Sequence, residues 1–130
     1  MIPDIERELS AYLRADPAVA ALVDDRVYTI VPSGPAFPLV RLTRIGGAPA
    51  RPHLLHHDVA EIQLDCYADR KAEAQTLAET VREALAVMPG VRGTAVVTAV
   101  RFGRLQYLPD GTFDPAKPRY VVDVTIHHHP

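Results

Sequence analysis

The stretch from residue 59 to residue 88 shows the two hydrophobic periodicities that predict a strand followed by a helix. In residues 59–67 apolar and polar positions alternate, with Ile62, Leu64 and Cys66 on one face and Glu61, Gln63 and Asp65 on the other. Further on, apolar residues recur at the i, i+3, i+4, i+7 spacing of one buried helical stripe: Ala74, Leu77, Ala78, Val81, Ala84, Leu85 and Met88. The apolar faces of this strand and this helix are predicted to bury each other.

The ends of this helix also carry signals. Asp69 is predicted to be the N-cap, which accepts a hydrogen bond from the first free backbone N–H groups. Pro89-Gly90 is predicted to end the helix. Four charged residues fall off the apolar stripe and are expected to be exposed: Glu73, Glu79, Arg82 and Glu83.

The N-terminal segment predicts a second helix and then one short helical turn. Pro3 and Asp4 suit a helix start, because proline loses nothing there and an acid favours the positive end of the helix dipole. The apolar stripe is Ile5, Leu9, Tyr12 and Leu13. Asp16-Pro17 repeats the start signal and predicts a short helix through residues 18–23, ending at Asp24-Asp25.

Four more segments have strand patterns. They are a short edge strand Val27–Val31, a strand Leu39–Ile45, a long strand Thr94–Leu108 and a closing strand Tyr120–His127. In the long strand, strict alternation predicts Val96, Val100 and Phe102 on one face, with Val97 and Leu105 on the other. The last two strands are expected to form an antiparallel hairpin.

The connecting segments are predicted from proline, glycine and missing periodicity. Pro32, Pro35 and Pro38 mark a loop, and Gly90 and Gly93 bracket a turn. Two long loops are expected, Gly46–Asp58 and Pro109–Pro118.

These elements predict a single α+β domain over residues 1–130. We expect a mostly antiparallel sheet of four or five strands with two helices packed on one face. The other face is predicted to be polar and either open to water or covered by another subunit. It would carry Arg41, Thr43, Glu61, Gln63, Asp65, Asp123 and Thr125.

Composition excludes several classes of function. The formal charge of −2 argues against a dedicated nucleic-acid or membrane binder, since phosphate binding needs a concentrated cationic surface. No run of ~18 apolar residues and no basic-then-apolar leader is present, so neither a membrane span nor a secretory signal is expected. The single cysteine, Cys66, has no partner for an intramolecular disulfide and is predicted to be a buried structural thiol.

No constellation for catalysis or metal binding stands out. The clusters His56-His57-Asp58 and His127-His128-His129 lack the ligand spacing of known zinc sites, so a solvated loop and a solvated tail are expected, with no metal or cofactor. Asp65 and Asp123 share the polar face, but no nucleophile-with-base motif or phosphate loop accompanies them. No catalytic residues and no enzymatic activity are predicted.

The order of the motifs resembles a known family. Leu13-Arg14-Ala15-Asp16-Pro17, Ala21-Leu22-Val23, Arg26-Val27-Tyr28 and Pro38-Leu39-Val40 follow one another in the first half. The strand Glu61–Ala68, the helix with Ala78–Leu85 and two closing strands follow in the second. This arrangement is similar to the small tail-completion, or tail-terminator, proteins of long-tailed phages.

The resemblance implies a structural virion protein at the head-proximal end of the tail, assembled in the host cytoplasm. Members of that family form a hexameric ring that caps the tail tube, stops its polymerisation and joins it to the head connector. The implied partners are therefore further copies of the chain, the tail-tube protein and a head-completion or connector protein. Genomic DNA passes through the ring without specific binding.

The expected subunit interface uses surfaces that the monomer leaves irregular or polar. Leu54 and Leu55 are an apolar pair in a loop without a periodic partner, and Arg41 and Asp123 lie on the polar face. Two alternative functions stay open at this point. One is another head–tail joining or minor tail protein, and the other is a small metal- or ligand-binding module that uses the histidines.

Overall fold

Three helices lie on one face of a six-stranded sheet in the computed structural model of the chain, which describes residues 2–49 and 56–130. The helices are α1 (Ile5–Ala15), α2 (Pro17–Val23) and α3 (Lys71–Ala86). The strands are β1 (Val27–Tyr28), β2 (Leu39–Pro49), β3 (Asp58–Tyr67), β4 (Gly90–Arg92), β5 (Ala95–Tyr107) and β6 (Arg119–His129). None of the helices in these two ranges has the length and apolarity needed to cross a membrane.

The strand order is β1-β2-β3-β6-β5-β4, and every neighbouring pair is antiparallel except the parallel pair β1–β2. The α+β class is therefore confirmed, but the sheet is mixed and has six strands, and the helices number three. Residues 90–93, predicted as a turn, contain the short edge strand β4 and only then turn at Gly93. Three residues are too few for a period of two to be visible in the sequence.

The core between the helices and the sheet matches the predicted stripes. Ile5, Leu9 and Leu13 of α1 are buried, and so are Ile62, Leu64 and Cys66 of β3. The α3 stripe is buried along its whole length, together with Met88 just beyond the helix. Burial raises the pKa of the Cys66 thiol, as expected for a structural cysteine.

The first two helices begin near their predicted starts, but the predicted cap of the third helix is wrong. Asp4 and Asp16 accept hydrogen bonds from the backbone N–H groups of Arg7 and Val19, at 3.2 and 3.0 Å. The N-cap of α3 is Arg70, which makes no capping bond through its side chain. Asp69 was predicted there, but its carboxylate instead accepts a bond from Lys117 Nζ at 2.7 Å.

Two β-bulges in β5 make the predicted division of its side chains wrong. One lies between Val97 and Ala99 and the other between Phe102 and Leu105. Each extra residue reverses the alternation, because successive side chains point to opposite faces. Val97, Val100, Phe102 and Leu105 consequently lie opposite the helix-facing residues of β6: His128, Ile126, Val124 and Val122.

The predicted loop Gly46–Asp58 is shorter than expected at both ends. Its first four residues continue β2, and Asp58 begins β3. Leu54 and Leu55 lie outside the described residues. The predicted strand Val27–Val31 is likewise reduced to β1, which is an edge strand as expected.

The C-terminal histidines are part of the sheet, so the expected solvated tail is wrong. β6 runs to His129, and the imidazole of His128 is buried on the helix side. Its Nε2 lies 2.9 Å from Asp58 Oδ2, and Asp58 also accepts hydrogen bonds from both terminal nitrogens of Arg44. The backbone N–H of Arg44 in turn donates to Glu6 of α1. This buried polar cluster joins β2, β3 and β6 at one end of the sheet.

Burial governs the pKa of His128. Removal from water lowers that pKa, the Asp58 carboxylate opposes the shift, and the positive charge of Arg44 adds to it. Burial alone would raise the pKa of Asp58, but the hydrogen bond and charge of Arg44 lower it overall. The cluster is therefore a neutral imidazole, an ionised carboxylate and a guanidinium.

The buried stripe of α3 leads to a prediction about stability. Leu77 is 1% exposed, whereas Glu79 is on the solvent side of the same helix. Leu77→Ala is expected to lower the free energy of unfolding by about 2–5 kcal/mol because it leaves a cavity. Glu79→Ala, the control, is expected to cost less than about 0.5 kcal/mol. Urea midpoints measure both, and equal shifts would contradict the assignment.

The buried His128 leads to a second prediction. Because its folded pKa is lower than its ordinary value of 6.5, the unfolded chain binds more protons below that pH. The urea midpoint of the native chain is therefore expected to fall as the pH drops below 6.5, and to level off below the folded pKa. His128→Gln should flatten this dependence, while His56→Gln, an exposed control, should keep it. A midpoint that is constant or rises on acidification from neutral pH to about 5 would show that the imidazole is not held neutral.

Candidate functional site

The face of the sheet away from the helices carries the predicted polar residues in adjacent rows. Thr43, Gln63 and Asp123 form one row across β2, β3 and β6. A second row runs Gly46, Glu61, Thr125 and Arg101 across β2, β3, β6 and β5. The alternation of β3 and β6 thus brings together the side chains that the sequence placed on one face.

A network of charges closes one end of this face. Asp65 is 1% exposed, and its Oδ2 accepts hydrogen bonds from Nε and Nη2 of Arg41 at 3.0 and 2.8 Å. Its Oδ1 accepts bonds from Gln63 Nε2 at 3.0 Å and Arg119 Nη1 at 3.4 Å. Both oxygens of this buried carboxylate are therefore engaged within the chain. Asp123 lies opposite Gln63 and takes no part in the network, so the two carboxylates do not act as a pair.

A second carboxylate fixes the loop between β5 and β6 to the sheet. The Tyr67 hydroxyl donates to Asp110 Oδ2 at 2.6 Å, and Thr112 donates to Asp110 Oδ1 through its N–H and its hydroxyl. Burial would raise the pKa of Asp110, but the bonds from Thr112 and Tyr67 lower it to about 2. Burial first, and then the bond to Asp110, raise the pKa of Tyr67, which keeps the phenol a neutral donor.

Three aromatic rings cover this end of the face. Tyr67 packs edge-on against Phe113 at 4.9 Å between ring centroids, and Phe113 packs against Phe37 at 5.1 Å. Leu39 and Val121 are buried beneath this cover, on the side of the sheet away from the helices. The chain's own loops therefore fill part of the face that was expected to meet water or another subunit. The signal in the sequence was two single phenylalanines inside proline-rich loops.

The middle of the face remains uncovered and is shallowly concave. A cavity of about 260 Å³ is lined there by Ile45, Glu61, Gly103, Asp123 and Thr125, together with parts of Ile62 and Val124. Ile45 is the extra residue at the irregularity in β2 and is 59% exposed. We call Ile45, Glu61, Gly103, Asp123 and Thr125 the open patch. It is the candidate surface for contact with other protein chains.

The expected interface residues are distributed unevenly around the open patch. Asp123 belongs to it, whereas Arg41 lies at the covered end and is held by Asp65. Leu54 and Leu55 are outside the described residues. Elsewhere in the described ranges, an apolar cavity of about 280 Å³ lies between Leu22, Pro38, Ala72 and Leu77. Within residues 2–49 and 56–130, no three His, Cys, Asp or Glu side chains are grouped to hold a metal ion.

Comparison with known proteins gives one family and several similar solved structures. A chain in a structure titled "Virion of native gene transfer agent (GTA) particle" is 24% identical, with a TM-score of 0.81 over 97% of this chain and 95% of that one. The structure of the bacteriophage SPP1 gp17 protein is 18% identical, with a TM-score of 0.56 over 94% of this chain and 89% of that one. At these identities the two likenesses show a shared fold. No curated protein sequence matches the chain.

The family model is the more informative finding, since it matches the sequence itself. The model of the tail completion protein gp17 matches residues 7–126, which begin within α1 and end within β6. The match includes both halves of the motif order described above and confirms the resemblance. The chain belongs to the tail completion protein gp17 family.

Proposed function

We propose that this virion tail protein is the tail terminator of a long-tailed phage or a phage-like particle. In this role six copies form a ring that caps the finished tail tube, stops its polymerisation and joins the tail to the head connector. Membership of the tail completion family is the observation that carries the proposal. The shared fold with a chain of a gene transfer agent virion, over almost the full length of both chains, supports it.

The surface of the chain is compatible with a ring. A ring requires that one patch of each copy meets a different patch of the next, so the two surfaces need not resemble each other. The open patch offers one such surface through Asp123, and we keep Leu54 and Leu55, which lie outside the described residues, as further proposed contacts. Arg41 would act indirectly, by holding Asp65 and with it the covered end of the face.

The electrostatics suit a ring through which DNA moves. The net charge of −2 gives no excess of cations to hold phosphates, so the ring would let DNA pass without binding it. The open patch also contributes carboxylates, Glu61 and Asp123, and no cationic side chain.

The proposal leads to a third prediction. The purified protein, alone or with tubes of the tail-tube protein from the same particle, is expected to form rings with a central hole in negative-stain images. In light scattering the ring should have six times the chain mass of 14.3 kDa. Tubes grown with the protein present should be shorter and carry density at one end, because a capped end adds no further subunits.

Two controls make the outcome decisive. Heat-denatured protein should leave tube length unchanged. Binding to purified head connectors tests the alternative function, that of another head–tail joining protein. Binding to connectors without any effect on tubes would favour that alternative. A monomer that caps no tube and binds no connector would exclude the tail-terminator function.

A further inference from the structure

Among the four long strands β2, β3, β6 and β5, the outer two, β2 and β5, are paired on their outer side over only part of their length. β4 pairs with β5 at Ala95–Val97 alone, and β1 pairs with β2 at Val40 and Arg41 alone. Within the described part of the chain, residues 98–107 of β5 and residues 42–49 of β2 thus have no strand on their outer side. Backbone N–H and C=O groups along such an edge are a template for pairing with another chain.

These two free edges lie at the same height on opposite sides of the sheet. One row of register partners is Ala48, Val59, His127 and Ala99, and a row further down is Leu42, Leu64, Val122 and Leu105. Because β2, β3, β6 and β5 alternate in direction, β2 and β5 run antiparallel to each other. A second copy rotated about an axis along the strands would therefore place its β2 beside β5 as an ordinary antiparallel neighbour.

Opposite charges stand at the two ends of one row between these edges. Arg101 is exposed on β5, and the same row ends at Glu61 and Gly46 on the other side. A Cβ atom on Gly46 would lie only 2.9 Å from Glu61 Oε2, so the carboxylate already leans across the glycine towards the edge of β2. Among the described residues, neither Arg101 nor Glu61 has an ion-pair partner.

We propose that neighbouring copies of this chain join edge to edge, with β5 of one copy extending the sheet beside β2 of the next. In that contact Arg101 of one copy pairs with Glu61 of the next copy across Gly46. Two strand spacings, about 10 Å between backbones, separate these residues. The long arginine side chain and the leaning glutamate cover that distance. The inference rests on the proposed ring and names its interface.

The irregular shape of the two strand edges favours pairing with a copy of the same chain over pairing with unrelated proteins. Bulges at residues 98 and 103–104 of β5 and at Ile45 of β2 twist both edges, and Arg101 and Arg104 place charge on β5. Such features block indiscriminate strand pairing. A copy of the same chain brings an edge of the same height and the opposite charge in the same row, which few other chains would do.

Two charge reversals test the contact. Arg101→Glu and Glu61→Arg should each place like charges across the interface, so each alone should raise the concentration for half-assembly by about tenfold or more. An equal mixture of the two variants should restore the ring, because alternating copies put a glutamate beside an arginine at every interface. If residues 101 and 61 paired within one copy instead, mixing the two variants would not restore assembly, because each copy would still carry two like charges. Arg7→Glu, an exposed reversal on α1, is the matched control and should assemble normally.

Assembly is measured by light scattering, and by tube capping if rings form only on tubes, with circular dichroism as the check of folding. Should either reversed variant fail to fold, hydrogen exchange of the native chain replaces it. Those amides of residues 99–105 that point away from β6 are then expected to exchange slowly in the ring and fast in the diluted monomer. If the native chain forms rings, three results would overturn the edge contact and leave the proposed function standing. They are normal assembly of the single variants, a mixture that stays dissociated, and outward-pointing β5 amides that gain no protection. A native chain that forms no ring under either condition would overturn both.

Discussion

The structure depends on the pairing of β3 along its whole length with two neighbours. Each of its ten residues has a register partner in β6 and another in β2. This ladder decides which residues face the helices and which face away, since a slip of one residue would exchange the two sets. Ile62 and Leu64 form the floor of the core for that reason, while Glu61 and Gln63 form the opposite face.

Two polar clusters mark the ends of this strand and lie on opposite sides of it. Asp58 faces the helices and binds Arg44 and His128, whereas Asp65 faces away and binds Arg41 and Arg119. A buried carboxylate without its partners would be costly, so each cluster disfavours any other register. The two ends of β3 are thereby held by charge and its middle by apolar packing.

The remaining strands leave parts of the same sheet uncovered. The aromatic cover formed by Tyr67, Phe113 and Phe37 does not extend to the row of Gln63 and Asp123. The short strands β1 and β4 pair with only one end of β2 and β5. Bulges in β2 and β5 keep these uncovered edges from being flat. These uncovered surfaces are the ones that we propose contact other chains.

The sequence by itself determined the α+β class, the buried stripes of α1 and α3, the two faces of β3 and the polar character of the sheet's far side. Each of these rests on periodicity within one segment, which local hydrophobic pattern reports directly. The tertiary structure alone decided the faces of β5, the burial of His128 and the aromatic cover made by Phe37 and Phe113. Those features arise from bulges and from contacts between distant segments, such as Asp58 with His128, and no pattern within one segment contains them.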